Sequence, residues 1–356
     1  MKLLHSADWH LCAPIQGLPE AQAQKLRASL LELPAKIAAL CRAEGCDMML
    51  LSGDLFDGPY TPQSYRLLCA ALEEAGVPVF ISPGNHDFVG PDSPWLRESW
   101  PENVHIFTQP EITAIPLPAL SCTVYGAGFS SMDCPSLLTG FQADPDAKYT
   151  IGVFHGDPTN VSSPYHPITR AQVQDCNLTY LALGHVHKTN SFRAGKTLCA
   201  WPGCPIGKGY DETGVKGVLI AELSDASDVR FVSLDAPAFY DLQAEATEDP
   251  AYVLASLLPA TANEDFYRVT LTGSWSAPDL ASIREQFTQF PNLTLRDQTT
   301  PPTDPWATAG EDSFEGIYFG LLQEALGRSD PQQQAEIQLA ARISRQLLDG
   351  QEVVLP

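Results

Sequence analysis

The residues best suited to chemistry lie in five short motifs. In chain order they are Asp8-Trp9-His10, Gly53-Asp54-Leu55-Phe56-Asp57, Gly84-Asn85-His86-Asp87, His155 at the end of IGVFH, and Gly184-His185-Val186-His187. They contain five of the chain's eight histidines. Imidazole nitrogens, carboxylates and an amide oxygen are the donors that hold borderline divalent metal ions. In an extended segment, residues i and i+2 point the same way. Asp8 and His10 are therefore expected to aim at one ion, and His185 and His187 to face the metal centre together. Asn85 and His86 are adjacent and point apart, so one can bind metal while the other reaches a substrate. Asp54, between a glycine and an apolar pair, is placed to bridge two ions. Any one motif alone reads equally as a hydrogen-bonded structural residue; five in order at strand ends read as a site. His5, His105 and His166 stand outside the motifs and are taken as structural.

Each motif closes an apolar run, and these runs are the elements that must position it. Residues 3–5, 48–52 and 79–82 read as buried strands, with helices over 21–42, interrupted at Pro34, and over 62–75. This βαβ rhythm implies an α/β core with its site at the carboxyl ends of the strands. Beyond Pro118 the pattern is strand-rich, with strands over 122–127, 149–155, 180–184, 217–223 and 229–234, so two sheets are expected. From residue 237 to 298 a small βαβαβ unit follows. Residues 299–311 are rich in Pro and Thr and read as a linker. Residues 312–356 contain two helices, the first with an apolar stripe of Phe314, Ile317, Tyr318, Leu321, Leu322, Ala325 and Leu326.

The ordered set DxH, GDLFD, GNHD, H and GHVH resembles the calcineurin-like metallophosphoesterases. Within them the chain is similar to the DNA-repair exonuclease branch, which includes the nuclease subunit of SbcCD and the YhaO-like proteins. HSADWHLCAPIQGL, SSPYHP and WPGCPIGKGYDETGVKG carry that finer likeness. Cys12 and Ile206 depart from it: the YhaO-like pattern more often has an acidic residue at the first and glutamine at the second. The resemblance implies an α/β/β/α two-sheet sandwich over residues 1–236, with a small α+β cap and C-terminal helices. It implies one metal site from Asp8, His10 and His187 and another from Asn85, His155 and His185, bridged by Asp54. His86 would act on the reacting phosphate, as a cation near it or as a general acid, while Asp57 and Asp87 orient histidines and loops. Two divalent ions are expected, manganese first, with iron or zinc as alternatives. Water acidified between them would attack phosphorus in line with the leaving oxygen.

Charge pulls the other way. Lys+Arg 21 against Asp+Glu 43 leaves −22, whereas a protein gripping DNA through its phosphates should be basic. A local island of +3 lies between Lys188 and Lys216, where five basic residues meet Asp211 and Glu212. Lys188 and Lys208 are candidate phosphate contacts there, and Tyr165 and Trp201 candidate stacking platforms. The leading expectation is a DNA exonuclease or endonuclease subunit working with an SbcC-like ATPase docked on the C-terminal helices, with a homodimer as a further possibility. The alternative is a phosphoesterase for small phosphodiesters or phosphomonoesters such as cyclic nucleotides. A metal-binding scaffold without turnover is disfavoured by His86.

The 356 residues leave room for about two domains. With 44% hydrophobic and 18% charged residues, disorder and coiled coil are excluded. No run of about 18 apolar residues suggests a membrane span, and MKLLHSADWH does not read as a secretory signal. Nine cysteines without a CxxC pair read as reduced thiols in a cytoplasmic protein. Cys41/Cys46 and Cys199/Cys204 read as small buried residues rather than zinc ligands.

Overall fold

The first apolar runs form parallel strands in the order β1 (Lys2–Ser6), β2 (Met48–Leu51), β3 (Val79–Ile81) and β4 (Val104–Ile106). Two later strands, β11 (Gly217–Glu222) and β12 (Asp228–Ser233), extend this sheet antiparallel beyond β1. A second sheet runs β5 (Thr113–Leu117), β6 (Cys122–Gly126), β7 (Tyr149–His155), β8 (Tyr180–Gly184), β10 (Thr197–Trp201) and β9 (Asn190–Ala194). Its centre, β6 to β10, is parallel. The computed structural model describes residues 1–224, 226–245, 249–261, 263–275, 278–300 and 304–350. Positions 301–303 of the expected linker and 351–356 of the expected tail lie outside them.

Strand alternation divides the apolar side chains between layers. Leu3, Leu50 and Phe80 turn inward and meet Val124, Ile151, Val153 and Tyr180 of the second sheet. Leu4, Met49, Leu51 and Ile81 turn outward against α1 (Glu20–Ala43) and α2 (Pro62–Ala75). On the far side, Phe154, Leu181, Leu183 and Trp201 pack with Val173 of α4 (Arg170–Asp175). A single turn, α3 (Pro94–Arg97), follows β3. The result is the expected α/β/β/α sandwich.

The expected break at Pro34 is corrected: α1 runs through it. An interior proline costs about 3 kcal/mol or more. The buried stripe of Leu26, Leu30, Leu33, Ile37 and Cys41 continues on both sides of it. Each such large side chain returns roughly 1.5–3 kcal/mol on burial, so packing outweighs the lost bond.

The chain divides into two compact units, residues 1–241 with 264–267, and residues 242–263 with 268–356. The third sheet is ordered β13 (Phe239–Glu245), β14 (Phe266–Thr272) and β15 (Leu293–Asp297). The second unit holds α5 (Pro250–Leu257) and α6 (Leu280–Glu285). Arg284 donates to the carbonyls of Leu293, Phe287 and Phe290 and fixes the α6–β15 connection. Two helices follow, α7 (Phe314–Leu326) and α8 (Pro331–Leu348). Phe319 and Ala341 are buried, and Tyr318–Ser344 and Arg345–Glu315 contacts pin the pair. Phe314, Ile317 and Leu321 remain exposed on α7. Among the described residues, no helix is long and apolar enough to cross a membrane.

Candidate metal centre

All five motifs meet at the carboxyl ends of β1, β2, β3, β7 and β8. The loop after β1 stays hydrogen-bonded to the loop after β2: the Asp8 and His10 N–H groups donate to the Gly53 and Asp54 carbonyls at 3.0 and 2.9 Å. The backbone that carries these ligands is not extended, which corrects the expectation. Asp8, His10, Asp54 and His185 all adopt left-handed φ values, of 56°, 48°, 52° and 99°. Such residues each cost of order 1–3 kcal/mol and persist where the surroundings over-determine them. Space is equally constrained. A Cβ on Gly84 would collide with the Asp54 carboxylate, and one on Gly53, at φ +89°, would sit 2.6 Å from His155 Nδ1.

The ligating atoms fall into overlapping groups. Donor atoms of Asp8, His10 and His187 lie within 4.8 Å of one another, as do those of Asp8, Asp54 and His155, and those of His10, Asp54 and His86. His10 Nε2 faces His187 Nε2 at 3.1 Å and Asp54 Oδ2 at 3.8 Å. His155 Nε2 lies 3.3 Å from the same Asp54 oxygen and 3.0 Å from Asn85 Oδ1. His185 stands at the edge, its ring 5.2 Å from that of His155.

The outer hydrogen bonds turn three of these imidazoles the same way. Nδ1 of His10 donates to Asp57 at 3.2 Å, that of His155 to the Ser52 carbonyl at 2.9 Å, and that of His187 to Glu212 at 2.5 Å. With the proton on Nδ1, each Nε2 lone pair points inward. Histidine ligands of metals are oriented in this way by an outer acceptor. Asp87 works on the backbone: it accepts from Gly84 and Leu55, each at 2.7 Å, and from Phe56 at 3.2 Å, tying the β2 and β3 loops together.

Charge completes the fit. Burial would raise the Asp54 carboxyl, but the imidazoles of His155, His10 and His86 hold it well below the usual range. Burial would lower His155, yet the Asp54 carboxylate lifts it to about 9. Asp87, buried and close to Asp54, is pushed up to about 7. Asp57 is held at about 2, chiefly by its hydrogen bond from His10. Asp8 Oδ2 is buried with no hydrogen-bond partner, a cost of about 1–3 kcal/mol or more for a charged acceptor. Inward lone pairs, an orphaned carboxylate oxygen and a pocket that draws protons onto a buried imidazole all suit divalent cations.

Two residues of the outer shell escape motif reading. Glu212, in the basic island, holds His187 through one oxygen and the Lys208 N–H through the other, at 2.7 Å. Asp157, two residues after His155, lies 3.9 Å from His185 Nε2. The available signals were the adjacent acids Asp211 and Glu212 in GKGYDETG and the HGD triplet. Lys208 sits with its Nζ 3.6 Å from Glu212 and not free in the site. Lys188 is exposed, and Tyr165 is half-buried with its ring 5.0 Å from that of His185. Trp201 is buried in the outer core and offers no face for stacking. Cys204 lies near His187 and Glu212, but burial pushes its thiol up to about 12, so it packs as a protonated side chain.

Residues 1–189 match the calcineurin-like phosphoesterase family, and the chain belongs to it. It is 28% identical over 238 residues to "Uncharacterized metallophosphoesterase YhaO" of Bacillus subtilis (strain 168), covering 63% of this chain and 58% of that protein. It is 23% identical over 269 residues to a subunit of the nuclease SbcCD of the same organism, covering 62% of this chain and 66% of that protein. In both cases the match spans less than two thirds of the relative's length. The crystal structure of a dimetal phosphatase from Danio rerio aligns at a TM-score of 0.46 and 14% identity, over 66% of this chain and 96% of that one. Membership of this family and the chain's His/Asp cluster together point to a metal centre for phosphoester chemistry.

Proposed function

We propose that this phosphoesterase is a phosphodiesterase acting on DNA, the nuclease partner of an SbcC-like ATPase. The observation that carries the hydrolytic reading is the approach of His10 Nε2 and His155 Nε2 to one oxygen of Asp54, with His187 Nε2 3.1 Å from that of His10 and the exposed His86 beside them. In this reading Asp8, His10 and His187 hold one ion, Asn85, His155 and His185 the other, and Asp54 both; manganese suits the mixed N/O donors. Bound there, the ions would supply Lewis acidity to the phosphoryl oxygens and acidify a water.

The chain's own groups do the rest. Asp57 takes His10 with one oxygen and His86 with the other, at 3.2 and 3.1 Å. One carboxylate thus fixes a ligand and the exposed imidazole together. With its Nδ1–H on Asp57, His86 keeps Nε2 for the reacting phosphate. As an imidazolium, His86 can give its Nε2 proton to the leaving oxygen. Tyr165, its ring 5.0 Å from that of His185, and the exposed Lys188 are assigned to substrate contact. The exposed Phe314, Ile317 and Leu321 of α7 are assigned to docking on the ATPase coiled coil.

The relative named as part of the nuclease SbcCD supports the nuclease assignment. The net charge of −22 favours a second reading, hydrolysis of small phosphodiesters or phosphomonoesters. Turnover of linear DNA against bis-p-nitrophenyl phosphate, both with added Mn2+ and with and without the ATPase, separates them. DNA cleavage that depends on the partner supports the nuclease. Turnover of the small diester with no DNA cleavage under either condition selects the second reading.

A further inference from the structure

A cavity of about 300 Å³ opens beside His86 between the loops that follow β2 and β3. Phe56, Tyr60, Phe88, Pro91 and Pro94 line it together with His86. Phe56 is buried and forms the inner wall, while Phe88, at 38% exposed, stands on the rim as a large apolar side chain facing water. Among the described residues, no Lys or Arg lines the cavity. Its acids are engaged: Asp92 pairs with Arg97, Asp87 is spent on three backbone N–H groups, and Glu98, close by, accepts from Tyr60. The walls therefore suit an uncharged planar ring and not a phosphate, and the volume lies at the lower end of small-molecule sites.

His86 belongs both to this cavity and to the metal-centre cluster. The group attached to the oxygen that His86 protonates must lie on the His86 side of phosphorus. We infer that the cavity is a subsite for the nucleobase of the leaving nucleoside, with Phe88 as its stacking face. The assignment rests on the phosphodiesterase reading and on His86 as proton donor. It gives the enzyme a preference for a diester whose leaving alcohol carries a flat ring. Stacking of a base on one aromatic side chain is worth enough to shift binding roughly tenfold.

The test uses the Mn2+-loaded full chain with thymidylyl-thymidine, its counterparts lacking one base or the other, and bis-p-nitrophenyl phosphate. The phosphate found on the product shows which nucleoside leaves. Removing the base of the leaving nucleoside should raise KM about tenfold with little change in kcat, and removing the other base should not. In Phe88→Ala the ratio between intact and leaving-side abasic substrates should fall to about one, and in the conservative Phe88→Tyr it should persist. A wild-type enzyme that cleaves all the diesters with no base effect, or a ratio unchanged in Phe88→Ala, overturns the subsite. Failure to hydrolyse any diester, bis-p-nitrophenyl phosphate included, removes the phosphodiesterase reading itself.

Discussion

Glu212 has the most testable role outside the motifs, because the metal-facing direction of His187 depends on it. Its Oε1 holds His187 Nδ1 at 2.5 Å, and its Oε2 accepts the Lys208 N–H at 2.7 Å, with Lys208 Nζ 3.6 Å away. Burial would raise this carboxyl, yet the hydrogen bond from His187 holds it at about 2. Glu212→Gln keeps the shape but has one acceptor for two donors. If the amide oxygen faces His187, the NH2 faces the Lys208 N–H, donor against donor. One backbone N–H then goes unpaired, at about 1–3 kcal/mol of stability. His187 loses its anionic partner, which for such outer groups costs roughly 10–100-fold in metal affinity or activity. Calorimetric titration of the metal-stripped protein with Mn2+ reads the loss directly, and urea unfolding reads the fold. The expected variant is folded and slightly less stable, with one Mn2+ site weakened by that factor. Unchanged affinity at both sites would refute the claim that Glu212 orients His187.

Three further perturbations each isolate one feature. His86→Ala should keep both ions by metal analysis and lose roughly 10²–10⁴-fold in turnover; loss of an ion instead would make His86 a ligand. Burial lowers His5 to about 3 and His166 to about 4. Above pH 6.5 both are neutral whether folded or not, so their stability contribution is fully present there. As pH falls from 6.5 towards 4 the unfolded chain takes up protons that the folded chain refuses, and stability drops by about 1.4 kcal/mol per pH unit for each group. Urea unfolding of His166→Gln between pH 6.5 and 5 should show a slope shallower by one such increment, and an identical slope would contradict the assignment. Deleting residues 312–356 should spare hydrolysis of bis-p-nitrophenyl phosphate and abolish co-purification with the ATPase. Unfolding, or loss of small-substrate turnover, would place these helices in the core.

The strands that carry the motifs were legible because each is a short apolar run ending in polar motif residues, the pattern of a strand buried on both faces. The edge strands β4, β5 and β9 were not legible. Val104-His105-Ile106 is only three residues long, Thr113–Leu117 contains Pro116, and Asn190–Ala194 is mostly exposed. None has a periodicity that stands out from loop. The continuity of α1 through Pro34 was hidden because local propensity argues against it and only the packed stripe restores it. In the site, the donor residues could be read from type and order. Their direction could not, because it depends on left-handed backbone at Asp8, His10, Asp54 and His185, and on acceptors drawn from distant segments, Asp57, Ser52 and Glu212. Trp201 looked available beside the GHVH motif, but strand alternation turns it into the outer core.

A pair of ions sharing Asp54 ties metal content to turnover, and both can be measured on the same samples of wild type and Asp54→Asn. Two ions per wild-type chain are expected, with bis-p-nitrophenyl phosphate hydrolysis that disappears on chelation and returns with Mn2+. In Asp54→Asn both occupancy and hydrolysis should collapse, because the bridging charge between His10 and His155 is gone. Two ions still bound and turnover intact in Asp54→Asn would rule out Asp54 as the shared ligand.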